Sequence, residues 1–168
     1  MMKRDPLSIS FVIGLVFLVS GCEKWQLDQQ VQELCAKDGG VKVYEVVKLP
    51  TSKFDKWGLI KLYSERQEIR DAYRNDEKEI HMEHALGIEY VFSSDDYFYR
   101  KGNPSMVRYR HQVVRRSDGK LIGETVSYGR GGGDLPGPWE PSNSHCPPTS
   151  ESSEIALLKK IFIPTNQE

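Results

Sequence analysis

The segment MVRYRHQVVRRSDGKLIGETVSYGR, residues 106–130, decides the fold of this chain. Two runs of alternating apolar and polar residues, 106–116 and 120–130, flank the short sequence Ser117-Asp118-Gly119. Asp-Gly between two such runs is the strongest short-range hairpin signal, because a two-residue turn needs residues that tolerate positive φ. The sequence therefore predicts an antiparallel hairpin at the centre of a sheet.

A two-residue turn at Asp118-Gly119 would pair Ser117 with Lys120 and so determine which side chains share a face. The predicted core face then carries Val107, Tyr109, His111, Val113, Ile122, Glu124, Val126 and Tyr128. The predicted outward face carries Arg108, Arg110, Gln112 and Arg116, with Thr125 and Ser127. A bulged turn would change this pairing by one residue.

Two groups of candidate site residues follow from this register. His111 and Glu124 would meet on the apolar face, where an unpaired carboxylate is very costly. They are predicted to form a buried polar pair, either an ion pair that fixes strand register or an acid/base pair in a pocket. The outward side chains of Arg108, Arg110 and Arg116 form either a solvated sheet face or a surface that contacts lipid phosphates or an anionic glycan.

Helical spacing marks both ends of the folded part. Apolar residues recur at Leu27, Val31, Leu34 and Cys35, which predicts a helix over 23–37 that ends at Gly39-Gly40. A short C-terminal helix begins near Ser152, with Ile155, Leu158 and Phe162 facing inward, and runs out into an extended tail at Ile163-Pro164. Strands are predicted over 41–49, 59–63, 88–92 and 96–100. The predicted class is α+β, with the two helices packed on an antiparallel sheet.

Two segments break this regular pattern. Residues 64–84 are rich in charge, which predicts a charged, solvated helix or a mobile insertion. Residues 130–148 contain the run RGGGDLPGPWEP and are predicted to be a loop, because glycine and proline are too frequent for regular structure.

Bulk composition limits the classes of function. With 168 residues, 38% of them hydrophobic, the chain suits one domain with a real core. A net charge of −1 gives no indication of a nucleic-acid partner. Phosphate-loop, zincin and Gly-x-Ser-x-Gly patterns do not occur, so no catalytic residue, metal or cofactor is predicted.

The N-terminus has the order of a secretory signal. Lys3 and Arg4 precede an apolar run over 7–21, which is short for a bilayer span. The run ends in Val19-Ser20-Gly21-Cys22, which resembles the lipobox of bacterial lipoproteins. The resemblance implies a signal peptide over 1–21, acylation of Cys22, and a single domain over 22–168. The alternatives are an ordinary signal or an uncleaved anchor.

Lipidation of Cys22 leaves two cysteines, Cys35 and Cys146. In an exported chain a lone pair is expected to be bridged, and the alternative is two free buried thiols. The stretches LCAKDGG (34–40), RSDGK (116–120) and GDLPGPW (133–139) are similar to small envelope lipoproteins of Gram-negative bacteria, and this resemblance also supports the Cys35–Cys146 pairing. It implies a lipid-anchored protein of the cell envelope, and Glu23 after the acylated cysteine favours the outer membrane, facing the periplasm.

These features predict a membrane-tethered binding or structural module without catalytic activity. Its partners would be the membrane, through the lipid, and an envelope protein or glycan, but not nucleic acid. One alternative is a surface-exclusion or immunity lipoprotein of a mobile element. The other is an envelope hydrolase that uses His111 and Glu124.

Overall fold

A computed structural model describes residues 23–61, 79–134, 137–138 and 140–165, which form a six-stranded antiparallel sheet flanked by helices. The strand order is β1 (Gly40–Val43), β6 (Leu121–Gly131), β5 (Ser105–Arg115), β4 (Tyr90–Arg100) and β3 (Glu79–Leu86), and β7 (Asn143–Cys146) pairs with β6 beyond the end of β1. This arrangement confirms the predicted α+β class. The elements in chain order are α1 (residues 23–38), β1 (Gly40–Val43), β2 (Val47–Leu49), a 3-10 turn (Thr51–Lys53), β3 (Glu79–Leu86), β4 (Tyr90–Arg100), β5 (Ser105–Arg115), β6 (Leu121–Gly131), β7 (Asn143–Cys146), α2 (Thr149–Ser152), α3 (Glu154–Ile161) and β8 (Phe162–Pro164).

The central hairpin forms where predicted, but its register is one residue away from the predicted one. The loop contains four residues, 116–119, because the Asp118 carboxylate accepts hydrogen bonds from Lys120 N (3.1 Å) and Arg115 Nη1 (3.0 Å). The pairing then shifts at a bulge beside Val113 and Val114. A one-residue shift moves the side chains of one strand to the opposite face relative to the other strand.

The shift determines which side chains share a face of the sheet. We name the two faces after the helices that cover them, because successive strand residues point to opposite sides. The α1 face carries Met106, Arg108, Arg110, Glu124, Val126 and Tyr128. The α3 face carries Tyr109, His111, Val113, Gly123, Thr125 and Gly129.

Helix α1 packs on the α1 face through the predicted apolar stripe. Leu27, Val31 and Cys35 are buried against Met106, Val126 and Tyr128, with Leu34 partly buried at the edge. The predicted bridge between Cys35 and Cys146 is confirmed, with Cα atoms 5.8 Å apart. A disulfide therefore joins α1 to β7.

The larger core lies on the α3 face. Leu157, Leu158 and Ile161 of α3 pack against Phe92 and Val113 of the sheet. Ser153 caps the helix by accepting a hydrogen bond from Ala156 N (3.2 Å), as capping serines commonly do. Leu158 and Phe162 are buried as predicted, whereas Ile155 is 51% exposed and Leu157 takes the inward position.

Several predicted boundaries are wrong. The run 41–49 divides at 44–46, so that β1 joins the large sheet and β2 pairs in parallel with β8. Residues 79–84 belong to strand β3 instead of a helix, since they pair along β4, and 62–78 lie outside the described residues. The strands predicted over 88–92 and 96–100 are one strand, β4. The predicted loop 130–148 contains β7, a strand of mostly polar residues.

Within the described residues, no helix is both long and apolar enough to cross a bilayer. The predicted signal peptide, residues 1–21, and the predicted lipidation site, Cys22, lie outside the described residues.

Candidate binding cleft

A cleft of about 310 Å³ lies on the α3 face, where β5, β6 and β7 meet the start of α2. Its floor is glycine, because β6 presents only Gly129 and Gly131 to this part of the face. An ideal Cβ on Gly129 would lie 3.3 Å from both His145 Nδ1 and Tyr109 Cε2. The missing side chain therefore gives the cleft its depth. The walls are formed by Ser105, Val107, Tyr109, Asn143, His145 and Thr149.

Tyr109 and His145 form the aromatic part of the wall. Their ring centroids are 6.0 Å apart and the rings are tilted by 41°. Burial raises the pKa of Tyr109, and the neighbouring carboxylate of Asp96 raises it further. Burial also lowers the pKa of His145. Both groups are therefore neutral near pH 7.

Asp96 stands beside Tyr109 in the cross-strand register and on the same face. Its Oδ1 atom is buried and has no hydrogen-bond partner among the described residues. Burial raises the pKa of this carboxyl, and the neighbouring charge of Asp95 adds to the effect. A buried acceptor without a partner is unusual in native proteins, but Asp96 does not line the cleft.

His111 lies on the same face but is part of the core. It shares a hydrogen bond of 3.0 Å with Ser94 Oγ and stacks on Phe92. Burial lowers the pKa of His111, which the charges of Glu154 and Asp95 only partly oppose. Ser94 is 4% exposed. A substrate cannot reach its hydroxyl, so this serine–histidine pair is structural.

The predicted pair of His111 and Glu124 is wrong. His111 is opposite Thr125, whereas Glu124 is opposite Gln112 and points to the α1 face. There Arg110 donates to Glu124 Oε2 from Nε (2.9 Å) and Nη2 (2.7 Å), and Tyr44 donates to Oε1 (2.7 Å). The physical reason is the bulge beside Val113 and Val114, which exchanges the face of Glu124 relative to His111.

The predicted outward arginine face does not form as one surface. Arg108 and Arg110 lie on the α1 face, where Asp38 is 4.0 Å from Arg108 and Glu124 binds Arg110. Arg116 is in the hairpin loop, beside a second depression that it lines with Ile88 and Tyr90. The three guanidinium groups are therefore not brought together as a site for an anion.

The glycine-rich loop after β6 fastens α1. Gly132 N donates to Ser142 O (2.9 Å), and Gly133 N donates to Asn103 Oδ1 (2.6 Å). Lys24 of α1 binds Asp134 at 2.6 Å, and its hydrogen bond lowers the pKa of Asp134 to about 2. The loop amides are thus used within the fold and do not form a cradle for an anion.

Arg130 fixes the other side of the same junction. Its guanidinium is on the α1 face and its side chain is 2% exposed, with Nε 2.7 Å from Asp28 Oδ1 of α1. It also donates to the carbonyls of Gly132 and Ser142. Although the backbone of Arg130 passes beneath the cleft, its charge is satisfied on the opposite face.

No family model, curated protein or solved structure matches this chain. The assignment of the cleft as a candidate site therefore depends on its geometry alone. Among the described residues, no group of three side chains that bind metals is found. The chemistry that the wall offers is hydrogen bonding by neutral groups around two aromatic rings.

Sequence reasoning missed the cleft because one side of its wall belongs to β7. Asn143, Ser144 and His145 carry no apolar alternation, so the segment gives no strand signal. The available signal is Cys146, since a cysteine bridged to α1 must lie against the sheet that α1 covers.

Proposed function

We propose that this protein is an exported binding module of the bacterial cell envelope, held at a membrane by lipid on Cys22 and presenting the cleft to a ligand. The supporting observation is that α1 and the cleft lie on opposite faces of the sheet. Helix α1, which follows the proposed anchor, covers one face, and the cleft opens on the other. The tether and the ligand would therefore not compete for the same surface.

The disulfide supports the proposed compartment. Cys35 and Cys146 are bridged, and structural disulfides persist in oxidising surroundings such as the periplasm. The lipobox-like sequence before Cys22 supports the anchor, because two or more acyl chains hold a protein stably at a bilayer where one does not. With Glu23 in the following position, we propose the outer membrane, facing the periplasm.

Labelled palmitate tests the anchor. Label is expected in the wild-type protein and absent from a Cys22→Ala variant. A Cys35→Ser/Cys146→Ser variant is the matched control, since it loses the other two cysteines and should keep the label. Equal labelling of the wild type and the Cys22→Ala variant would contradict the proposal.

Retention of envelope components by the immobilised full chain tests the binding role. Gly129→Val fills the floor of the cleft; its backbone is not at positive φ, but a Cβ there meets Tyr109 and His145 at 3.3 Å, so these two rings must shift slightly. We expect a component that the wild type retains to be lost with Gly129→Val. The same retention by both proteins would show that the cleft is not the binding surface.

A further inference from the structure

We propose that the cleft binds a neutral, hydroxyl-rich ligand, with a saccharide as the chemical class. This assignment rests on the proposed function and specifies the ligand of the same site. The first observation is the size of the cleft. Its volume of about 310 Å³ is at the lower end of the roughly 300–1,000 Å³ typical of ligand sites. It suits a short part of a chain-like ligand.

The second observation is the absence of charge from the described wall. Ser105, Asn143 and Thr149 offer neutral hydroxyl and amide groups. The one charged residue on the perimeter, Arg130, turns its guanidinium to the α1 face and binds Asp28 there. An anion would find no cation among the described wall residues, and its desolvation would not be compensated.

The third observation is the pair of rings over a glycine floor. Tyr109 and His145 present apolar ring surface and polar tips together, which suits a ligand with alternating C–H and O–H groups. Gly129 keeps the space between these rings free of side-chain atoms.

A matched set of tetrasaccharides tests the assignment. Saturation-transfer NMR and calorimetry on the full, detergent-solubilised chain would compare tetra-N-acetylchitotetraose, its fully deacetylated cationic counterpart, and anionic tetragalacturonate. We expect the neutral probe to bind best. Absence of binding by the neutral probe, or tighter binding by either charged probe, would overturn the assignment.

Two variants link the binding to the cleft. Tyr109→Phe removes one hydroxyl and should weaken the neutral probe roughly 2–10-fold, the range for one neutral hydrogen bond. Gly129→Val should abolish binding. Tyr97→Phe is the matched control, because Tyr97 lies opposite Arg108 in the register and so on the α1 face of the same sheet. If Tyr97→Phe weakens binding as much as Tyr109→Phe, the cleft is not the site.

The outcomes separate this assignment from the proposed function. If palmitate labelling persists but the neutral probe does not bind, only the ligand class is overturned. Loss of labelling with the saccharide still bound in the cleft would overturn the anchor and leave the ligand class supported. A cooperative urea unfolding transition and a near-UV circular dichroism spectrum like that of the wild type show that each variant has folded.

Discussion

Arg110 and Glu124 form a two-point ion pair on the α1 face, with Arg110 Nε and Nη2 at 2.9 and 2.7 Å from one carboxylate oxygen. The other oxygen accepts a hydrogen bond from Tyr44 in the segment after β1. Three parts of the chain thus meet at a single carboxylate whose side chain is 11% exposed. The pair stabilises the observed register of β5 and β6, since a shift of one residue would separate its members.

Replacing Glu124 by glutamine tests this pair. Glu124→Gln keeps the shape of the side chain but removes the charge, and should lower the free energy of unfolding by about 1.5–3 kcal/mol, the range for hydrogen bonds to charged groups. Urea unfolding measures the change. The exposed Glu140 provides the control, because Glu140→Gln should leave the free energy nearly unchanged. A comparable loss in both variants would contradict a stabilising role for the pair.

The same carboxylate predicts a pH dependence. Burial tends to raise the pKa of Glu124, but the hydrogen bonds from Tyr44 and Arg110 outweigh it and leave the pKa below its usual 4.5. Because the folded pKa is lower than the unfolded one, the stabilisation is complete above about pH 4.5 and is lost as the pH falls through the folded value. Urea unfolding between pH 6 and 3 should show a shallower decline for Glu124→Gln. If the free energy of unfolding declined equally with pH in the wild type and in Glu124→Gln, the lowered pKa of Glu124 would be contradicted.

The disulfide should contribute a large share of the stability. It closes a loop with a sequence separation of 111 residues, and the chain-entropy model gives about 4–5 kcal/mol for such a loop. The free energy of unfolding of the Cys35→Ser/Cys146→Ser variant should be lower than that of the wild type by that amount. A reducing agent should destabilise the wild type and have no effect on the double variant. An equal effect of the reducing agent on both would show that it acts elsewhere.

Arg130 should hold α1 to the sheet. Arg130→Met leaves Asp28 and the Gly132 carbonyl without the Arg130 donor, whereas the Ser142 carbonyl keeps the amide of Gly132. Removing one member of a fully buried pair costs about 3–5 kcal/mol, but Asp28 is 31% exposed, so we expect about 2–4 kcal/mol. Hydrogen exchange should rise first in α1. The matched variant Arg116→Met, in the exposed hairpin loop, should change neither stability nor exchange in α1.

The imidazole of His111 should titrate below its usual pKa. Burial lowers the pKa of His111 in the fold, whereas an unfolded histidine keeps a value near 6.5. The unfolded chain then binds the proton more readily, so stability is greatest above pH 6.5 and falls as the pH drops toward the folded value. NMR titration of the imidazole signals measures this. A folded pKa at or above that in urea would contradict the burial of His111.

The sequence could predict the parts of the fold that are marked by a strong period of apolar residues or by the number of cysteines. Leu27, Val31 and Cys35 recur at helical spacing and do cover the α1 face. The Cys35–Cys146 bridge follows from the number of cysteines in a chain that is predicted to be exported. The helix follows from a local pattern and the bridge from a count of cysteines, so neither inference depends on strand register.

The cleft could not be predicted because it depends on long-range register. The bulge beside Val113 and Val114 decides whether Glu124 faces His111 or Arg110, because the two extra loop residues alone leave the shared face unchanged, and both arrangements fit the same alternating sequence. His145 reaches Tyr109 only because β7 pairs with β6 at Gly129, and a polar four-residue strand has no sequence signature. Residues 79–84 lie in the segment predicted to be a charged, solvated helix or a mobile insertion, because the high charge of 64–84 hides the pairing of 79–84 with β4.

Strand β7 is only four residues long and carries two attachments on opposite sides. Cys146 is bonded to α1, and the adjacent His145 forms the wall of the cleft. Helix α1 is the first described helix after the proposed acyl anchor. A force that membrane motion exerts on α1 would therefore pass through the disulfide to Cys146, which is next to the proposed ligand contact His145. Ligand binding at His145 and force from the tether at Cys146 would then act on two adjacent residues of β7.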